Sequence, residues 1–421
     1  MLIPVLAAWG GASVYYHLTP LSVPSQVFRV VVAPIIAHVD GGEISEAARL
    51  REPYWVGSAQ SRRLDAVESW RRLEGGTRGI HVFDVSGAGA LPVDLPFVYE
   101  SADAPYLREL VQAYALRDVI TGAPDEYSAM LRLGAWLGGL FDHGADALRD
   151  RQNQISPVEV IRAGKAGKRY WCEVAARLTV HAATALGWQA RLVTASRTGY
   201  IWDHAVAELW SNQFRRWFVL DTDFNVIYET DGVPLSAFEL CLFGRGLQQA
   251  QRLVIRQVAP PKPSLPPADL VPYYAYVHID MRNDWNSRFL RAGSPVGGDL
   301  STWWTARPTM GPVLTAKVRV NRQDVFNWLL NVVSMHALGI VDQPGGARQI
   351  RVGLTAYSPS FKTFEVAVDD GPWSDEPTGE ALVPANSGHH TVRARVMTKA
   401  GFPGPVYQIG LEIVAAAGSG R

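Results

Sequence analysis

Cysteine is nearly missing from this chain: Cys172 and Cys241 are the only two in 421 residues. That excludes a disulfide framework, and the pair lacks the spacing of a structural zinc site. Net charge is missing as well, because 40 lysines and arginines balance 40 acidic residues. No Lys/Arg-rich run restores a basic patch locally, so nucleic acid is not an expected partner. Long apolar runs are also lacking. The segment from Met1 to Phe28 is free of charge, but Gly10 and Gly11 interrupt it, and Pro20 and Pro24 end it before membrane-spanning length. It reads as a buried β segment rather than an anchor or signal peptide, and no integral membrane segment is expected.

What is present fits a globular protein of several domains. Apolar residues make up 48% and charged residues 19%, which supplies cores and argues against long disordered stretches. The length exceeds what one core usually serves. Tryptophan occurs 14 times, including the pair Trp303-Trp304, a usage found on carbohydrate-facing surfaces and in ordinary cores alike.

Along the chain the pattern changes character. Val27 to Val39 (VFRVVVAPIIAHV) and Ile80 to Val85 (IHVFDV) are β-rich, so residues 1–103 are expected to form a mainly β domain. After Pro105, Tyr106, Leu107, Leu110, Val111 and Tyr114 recur at helical spacing, as do Met130, Leu133 and Leu137. A third helix is expected from Cys172 to Leu186, with Gly187 as its stop. Strands follow at Gln189 to Ala195, His204 to Trp210 and Arg216 to Asp221. Helix first and antiparallel sheet afterwards gives an α+β domain over 104–257. The prolines of Val258 to Pro272 suggest an extended linker, and the short alternating runs of 273–421 suggest β-sandwich modules.

One constellation carries chemistry. A thiol attacks a carbonyl as thiolate, so a cysteine nucleophile needs a neighbour that takes its proton. Cys172 stands at a predicted helix start, where unpaired amides and the helix dipole favour an anion and could hold an oxyanion. His204 opens a predicted strand and can serve as base; Asp221 ends the next strand, where it can orient the imidazole. Asp223 competes for that orienting role, but with Asn225 it looks like a turn residue. Cys241, in the apolar run AFELCLFG, is expected to be structural. His181 is expected to be a core or surface residue, His389-His390 to lie in a turn without further ligands, and Glu208 to pair with Arg191.

The order of these pieces resembles the transglutaminase-like superfamily, in papain-type arrangement. It reads Cys172 followed by EVAARLTVHAATALGWQARLV, then His204-Ala205-Val206-Ala207-Glu208, then Trp217-Phe218-Val219-Leu220-Asp221. Gly187-Trp188-Gln189-Ala190-Arg191 looks like the G-x-x-A-R step between the family's helix and sheet, and the likeness covers about residues 105–245. It implies acyl transfer or hydrolysis through a thioester on Cys172, with His204 and Asp221 completing the triad and no metal or organic cofactor. The chain departs from the family's pattern at Tyr170, where a glycine is usual, and at Val206, where a tryptophan is usual. Trp171, Trp136 and Tyr170 are candidates for lining the acyl site, the two indoles as oxyanion donors.

The tail from Phe364 to Val414, within an immunoglobulin- or fibronectin-like stretch of about 350–421, resembles β modules appended to carbohydrate-related and secreted enzymes. That leans towards a periplasmic or extracellular location over a cytoplasmic one. Expected substrates are a protein, peptide or peptidoglycan-like acyl compound, with a polysaccharide as a further partner. The alternative is an inactive scaffold that holds a polysaccharide or cell-wall partner through its β modules.

Overall fold

The computed structural model describes residues 66–85, 97–146, 156–197, 203–249, 252–265, 269–287, 302–304, 318–319, 323–344 and 347–414. The expected segments Met1 to Phe28 and Val27 to Val39, and the side chains of Trp303 and Trp304, lie outside these residues. The chain divides into two compact units, one built from Pro96–Ser211 and Trp217–Asn327, the other from Pro53–Leu95, Asn212–Arg216 and Trp328–Arg421. Helix α1 (66–76) and strand β1 (Ile80–Asp84) therefore precede the first unit in sequence but belong to the second.

The first unit opens with helices α2 (Pro105–Tyr114), α3 (Leu116–Ile120), α4 (Glu126–Gly138), α5 (Pro157–Lys165) and α6 (Cys172–Ala185). Local chemistry marks their ends. Pro105 and Pro157 occupy the first turns of α2 and α5, where a missing amide costs nothing. The Asp125 side chain caps α4 by accepting from the Ser128 amide at 2.7 Å. Gly187, at φ 92°, closes α6: its amide bonds Thr184 O, and the Trp188 amide bonds Ala183 O. Strands β2 (Ala190–Ser196), β3 (His204–Ser211), β4 (Arg216–Asp221), β5 (Val226–Thr230) and β6 (Val233–Pro234) follow. Then come α7 (Ala237–Gly244), β7 (Leu253–Gln257), β8 (Tyr276–Asp280), β9 (Thr302–Trp304), β10 (Val318–Arg319) and α8 (Gln323–Phe326). The α+β expectation holds. Helix α6 is buried from Val174 to Ala185 except at Arg177 and packs on β2 and β3, with the sheet ordered β10-β9-β8-β2-β3-β4-β5-β6 and β7 on β5.

The expected boundary in the proline-rich stretch is not where the units part. Tyr276–Asp280 pairs antiparallel with β2, Val193 opposite Ile279, and Val277 and Ile279 are fully buried. Burial between sheet neighbours, rather than membership of a C-terminal module, explains that alternation.

The second unit continues through β11 (Val332–Asp342), β12 (Arg348–Tyr357), β13 (Phe361–Val368), β14 (Ser374–Glu376), β15 (Glu380–Pro384), β16 (Gly388–Thr398) and β17 (Tyr407–Ile413). A five-stranded sheet, β1-β17-β16-β13-β14, and a three-stranded sheet, β11-β12-β15, share one core that includes Val333, Ile350, Val392, Leu411 and Trp70 of α1. The Trp70 indole donates to Met335 O at 2.9 Å, so a helix from the early chain plugs a sheet from the late chain. His389 and His390 lie in strand β16, not in a turn; His390 is held between Asp369 and Asn386 O, each at 2.9 Å. Among the described residues no helix is long and apolar enough to cross a membrane.

Candidate active site

Cys172 is the first residue of α6, and Trp171 before it is extended at ψ 175°. No side chain caps this helix start; the Val174 amide donates to Trp171 O at 3.1 Å, which leaves those of Cys172 and Glu173 outside the helix's own bonding. The thiol residue is partly exposed, whereas Cys241 is buried and donates its S–H to Ala275 O at 3.2 Å.

Strands β3 and β4 are sheet neighbours, and the chain reverses between them, so the start of β3 meets the end of β4. His204 Nε2 lies 2.7 Å from Asp221 Oδ2, with both side chains almost fully buried. The other oxygen of Asp221 accepts the amides of Asp223 and Phe224, each at 3.0 Å, which fixes the carboxylate's plane. Thr222 binds this turn to α6: its hydroxyl is 2.8 Å from that of Thr179, which donates to Ala175 O. The strand end and the helix start are thereby held in one frame.

Cys172, His204 and Asp223 each bring one ligand-type atom within 4.8 Å of the others. The Cys172 sulfur and a ring nitrogen of His204 therefore lie within 4.8 Å of each other. Since Nε2 is taken by Asp221, Nδ1 is the ring nitrogen left for the thiol. Burial works against a charged imidazole, but the attraction and hydrogen bond of Asp221, together with the hydrogen bond and charge of Cys172, hold His204 well above the usual histidine range. The rings of Phe224 and Tyr273 stand edge-on to it, 5.2 and 5.9 Å away.

Asp223 turns the other way. It accepts from His143 Nδ1 at 2.9 and 3.1 Å, and Lys262 Nζ lies 3.5 Å from it. Burial pushes its carboxyl up, yet the His143 hydrogen bond and the charges of His143, Lys262 and His204 outweigh this and bring it below the ordinary value. Neither His143 nor Lys262 was legible as a site residue. His143 follows α4 in a short irregular stretch whose backbone bridges Tyr170, and Lys262 is a lone cation among prolines. No periodicity or spacing marks either one.

The remaining candidates separate. Trp171 buries its indole nitrogen without a hydrogen-bond partner among the described residues. Tyr170 is 1% exposed and packs its ring on Phe141 at 5.0 Å. Trp136 lies beside Tyr114 at 6.1 Å, with Lys165 over both rings. Glu208 meets Arg191 at 2.7 Å, and both are fully buried. His181 is buried between Tyr106 and Trp285.

The same region is picked out by comparison with known proteins. Residues 114–222 match the model of the transglutaminase-like superfamily, and no curated protein matches the chain. The matched span runs from the end of α2 to Thr222, and so holds Cys172, His204 and Asp221. A thiol, a buried imidazole and the Asp221 carboxylate set together inside that span, with Asp223 just beyond it, support a thiol enzyme. Residues 114–222 are thus similar to the core of the transglutaminase-like superfamily.

Proposed function

We propose that this protein is a cysteine acyl enzyme in which Cys172 attacks an amide or related acyl carbonyl, His204 handles the proton and Asp221 orients His204. The observation that carries this reading is the buried His204–Asp221 pair at 2.7 Å, with a partly exposed thiol at a helix start within 4.8 Å of the imidazole. The attacking sulfur forms a bond to the carbonyl carbon. His204 gives its proton to the leaving amine, and a thioester remains on Cys172. Water or a second amine then attacks the thioester carbon and gives its proton to His204, while the C–S bond breaks and Cys172 leaves as thiolate.

The oxyanion of each step is assigned to the first amides of α6; the indole nitrogen of the adjoining Trp171 is buried with no acceptor among the described residues. Of the two indoles, Trp171 adjoins Cys172 in the chain, whereas Trp136 packs its ring beside Tyr114 and Lys165. A protein, peptide or peptidoglycan-like acyl compound suits a site that ends in a single open thiol. Incubation with an activated acyl ester, followed by mass measurement, tests this: an acyl adduct on Cys172 is expected, and none on Cys172→Ala.

A second reading, ligand holding by the β unit, is favoured by a cavity of about 420 Å³ lined by Arg78, Arg348, Asn386 and Ser387. Polysaccharide retention that survives Cys172→Ala and is lost on Arg348→Ala is its expected signature.

A further inference from the structure

The proline-rich stretch from Val258 was expected to be a spacer, but its first half lies on the catalytic unit. The Val258 amide bonds Asn225 O at 2.8 Å, and Asn225 Nδ2 donates to Pro260 O at 2.6 Å. The Ser264 hydroxyl donates to Asp142 Oδ1 and shares contact with His143 O, each at 2.7 Å. Pro260, Pro261 and Pro263 fix φ around Lys262, and a residue before proline is held extended. A turn closes from Lys262 O to the Leu265 amide at 3.0 Å. Lys262 is thus aimed inward by a stiff strap. Its side chain is 3% exposed, and its ammonium lies 4.8 Å from the Phe141 ring centroid.

We propose that Lys262 is a positioning residue of the thiol site: by pairing with Asp223 it cancels the negative charge that this carboxylate would otherwise press on the sulfur of Cys172. The proposal rests on the reading of Cys172 and His204 given above. Asp223 has an oxygen within 4.8 Å of both the sulfur and a His204 nitrogen. A like charge so close opposes a thiolate, typically by one to three pH units. The groups facing Asp223 are His143, Lys262 and His204; Asp221 lies beside it but is saturated by His204 and two backbone amides. Asp142, the other carboxylate near Lys262, is engaged by Ser264 and the His143 amide. Lys262 therefore brings its ammonium to Asp223 at 3.5 Å, and the strap that carries it is a working part of the site.

The test is the rate of iodoacetamide alkylation at Cys172, resolved by mass, from about pH 5 to about pH 9, in the full chain. Lys262→Met is expected to move the acid side of the profile up by roughly one unit or more. Asp223→Asn is expected to leave it in place or move it down. The double variant, with both charges removed, is expected to return to within about half a unit of the parent. A Lys262→Met profile that does not move, or a double variant that keeps the upward displacement, overturns the proposal. Should Lys262→Met fail to fold, the double variant decides alone, and a profile displaced upwards in it is the contrary result. Independence of the parent profile from His204, seen as no change in His204→Ala, would instead overturn the underlying reading of the site.

Discussion

At the scale of single residues, the site is a set of buried charges each held by named partners. His204 sits well above the usual range, because Asp221 and Cys172 outweigh the cost of burying it. If the thiolate–imidazolium pair is the reactive form, the basic side of the rate profile marks the loss of the His204 proton. Asp221→Asn removes the charge but keeps an acceptor, so that basic side is expected to move down towards the ordinary histidine range. A pH–rate profile that leaves it in place would show that Asp221 does not govern the ring. The Arg191–Glu208 pair makes a second case. Arg191 Nε donates to Glu208 at 2.7 Å, its other nitrogens reach Phe326 O and Asn327, and Glu208 also takes the Ala237 amide. Glu208→Ala strands a buried guanidinium and is expected to cost about 3–5 kcal/mol, measured as a fall in denaturant midpoint.

At the scale of elements, α4 approaches the strands closely because glycines face them. A Cβ on Gly134 would stand 2.7 Å from Leu220 Cδ1, and one on Gly138 would stand 1.8 Å from Asn225 Oδ1. Asn225, at φ 60° in the turn after Asp221, also holds Pro260 of the strap. Gly138→Ala is therefore expected to cost about 1–3 kcal/mol by overpacking and to lower turnover by displacing the Asp221–Asn225 turn. Equal melting temperature and turnover in variant and parent would contradict this packing.

Much at this scale was legible in the sequence. Helix α6 showed its period, its glycine stop and the thiol at its start, and the strands opening with His204 and ending in Asp221 are local features. The strap was misread, because proline fixes φ without saying what the chain packs on. The same limit applied to Tyr276–Asp280, since its alternation fits a sandwich as well as the sheet it joins. His143 and Lys262 reach Asp223 only through tertiary folding.

At the scale of the whole molecule, the chain crosses between its units, and this was not legible. Helix α1 and strand β1 complete a core made mostly from residues beyond Trp328, and Ile80 pairs with Ile413. Nothing in the 1–103 composition points to so distant a partner.

The first unit also carries a pH signature. Burial, as the leading cause, brings His181 and His278 from 6.5 down to about 3. Both are neutral when folded and bind protons more readily when unfolded. Their contribution to stability is present above about pH 6.5 and declines towards pH 3, by about 1.4 kcal/mol per unit for each group. Unfolding midpoints that fall steadily across this window are expected, with a shallower fall in His181→Leu; a flat dependence would contradict the burial of both rings.

The central claim is that the Cys172 sulfur is activated by His204. Site-resolved alkylation near pH 6 addresses it directly, with buried Cys241 as the internal reference. The account predicts rapid labelling of Cys172 over Cys241, falling by roughly 10²-fold or more in His204→Ala. Labelling of Cys172 at the rate of a free cysteine, unchanged by the loss of His204, would contradict it.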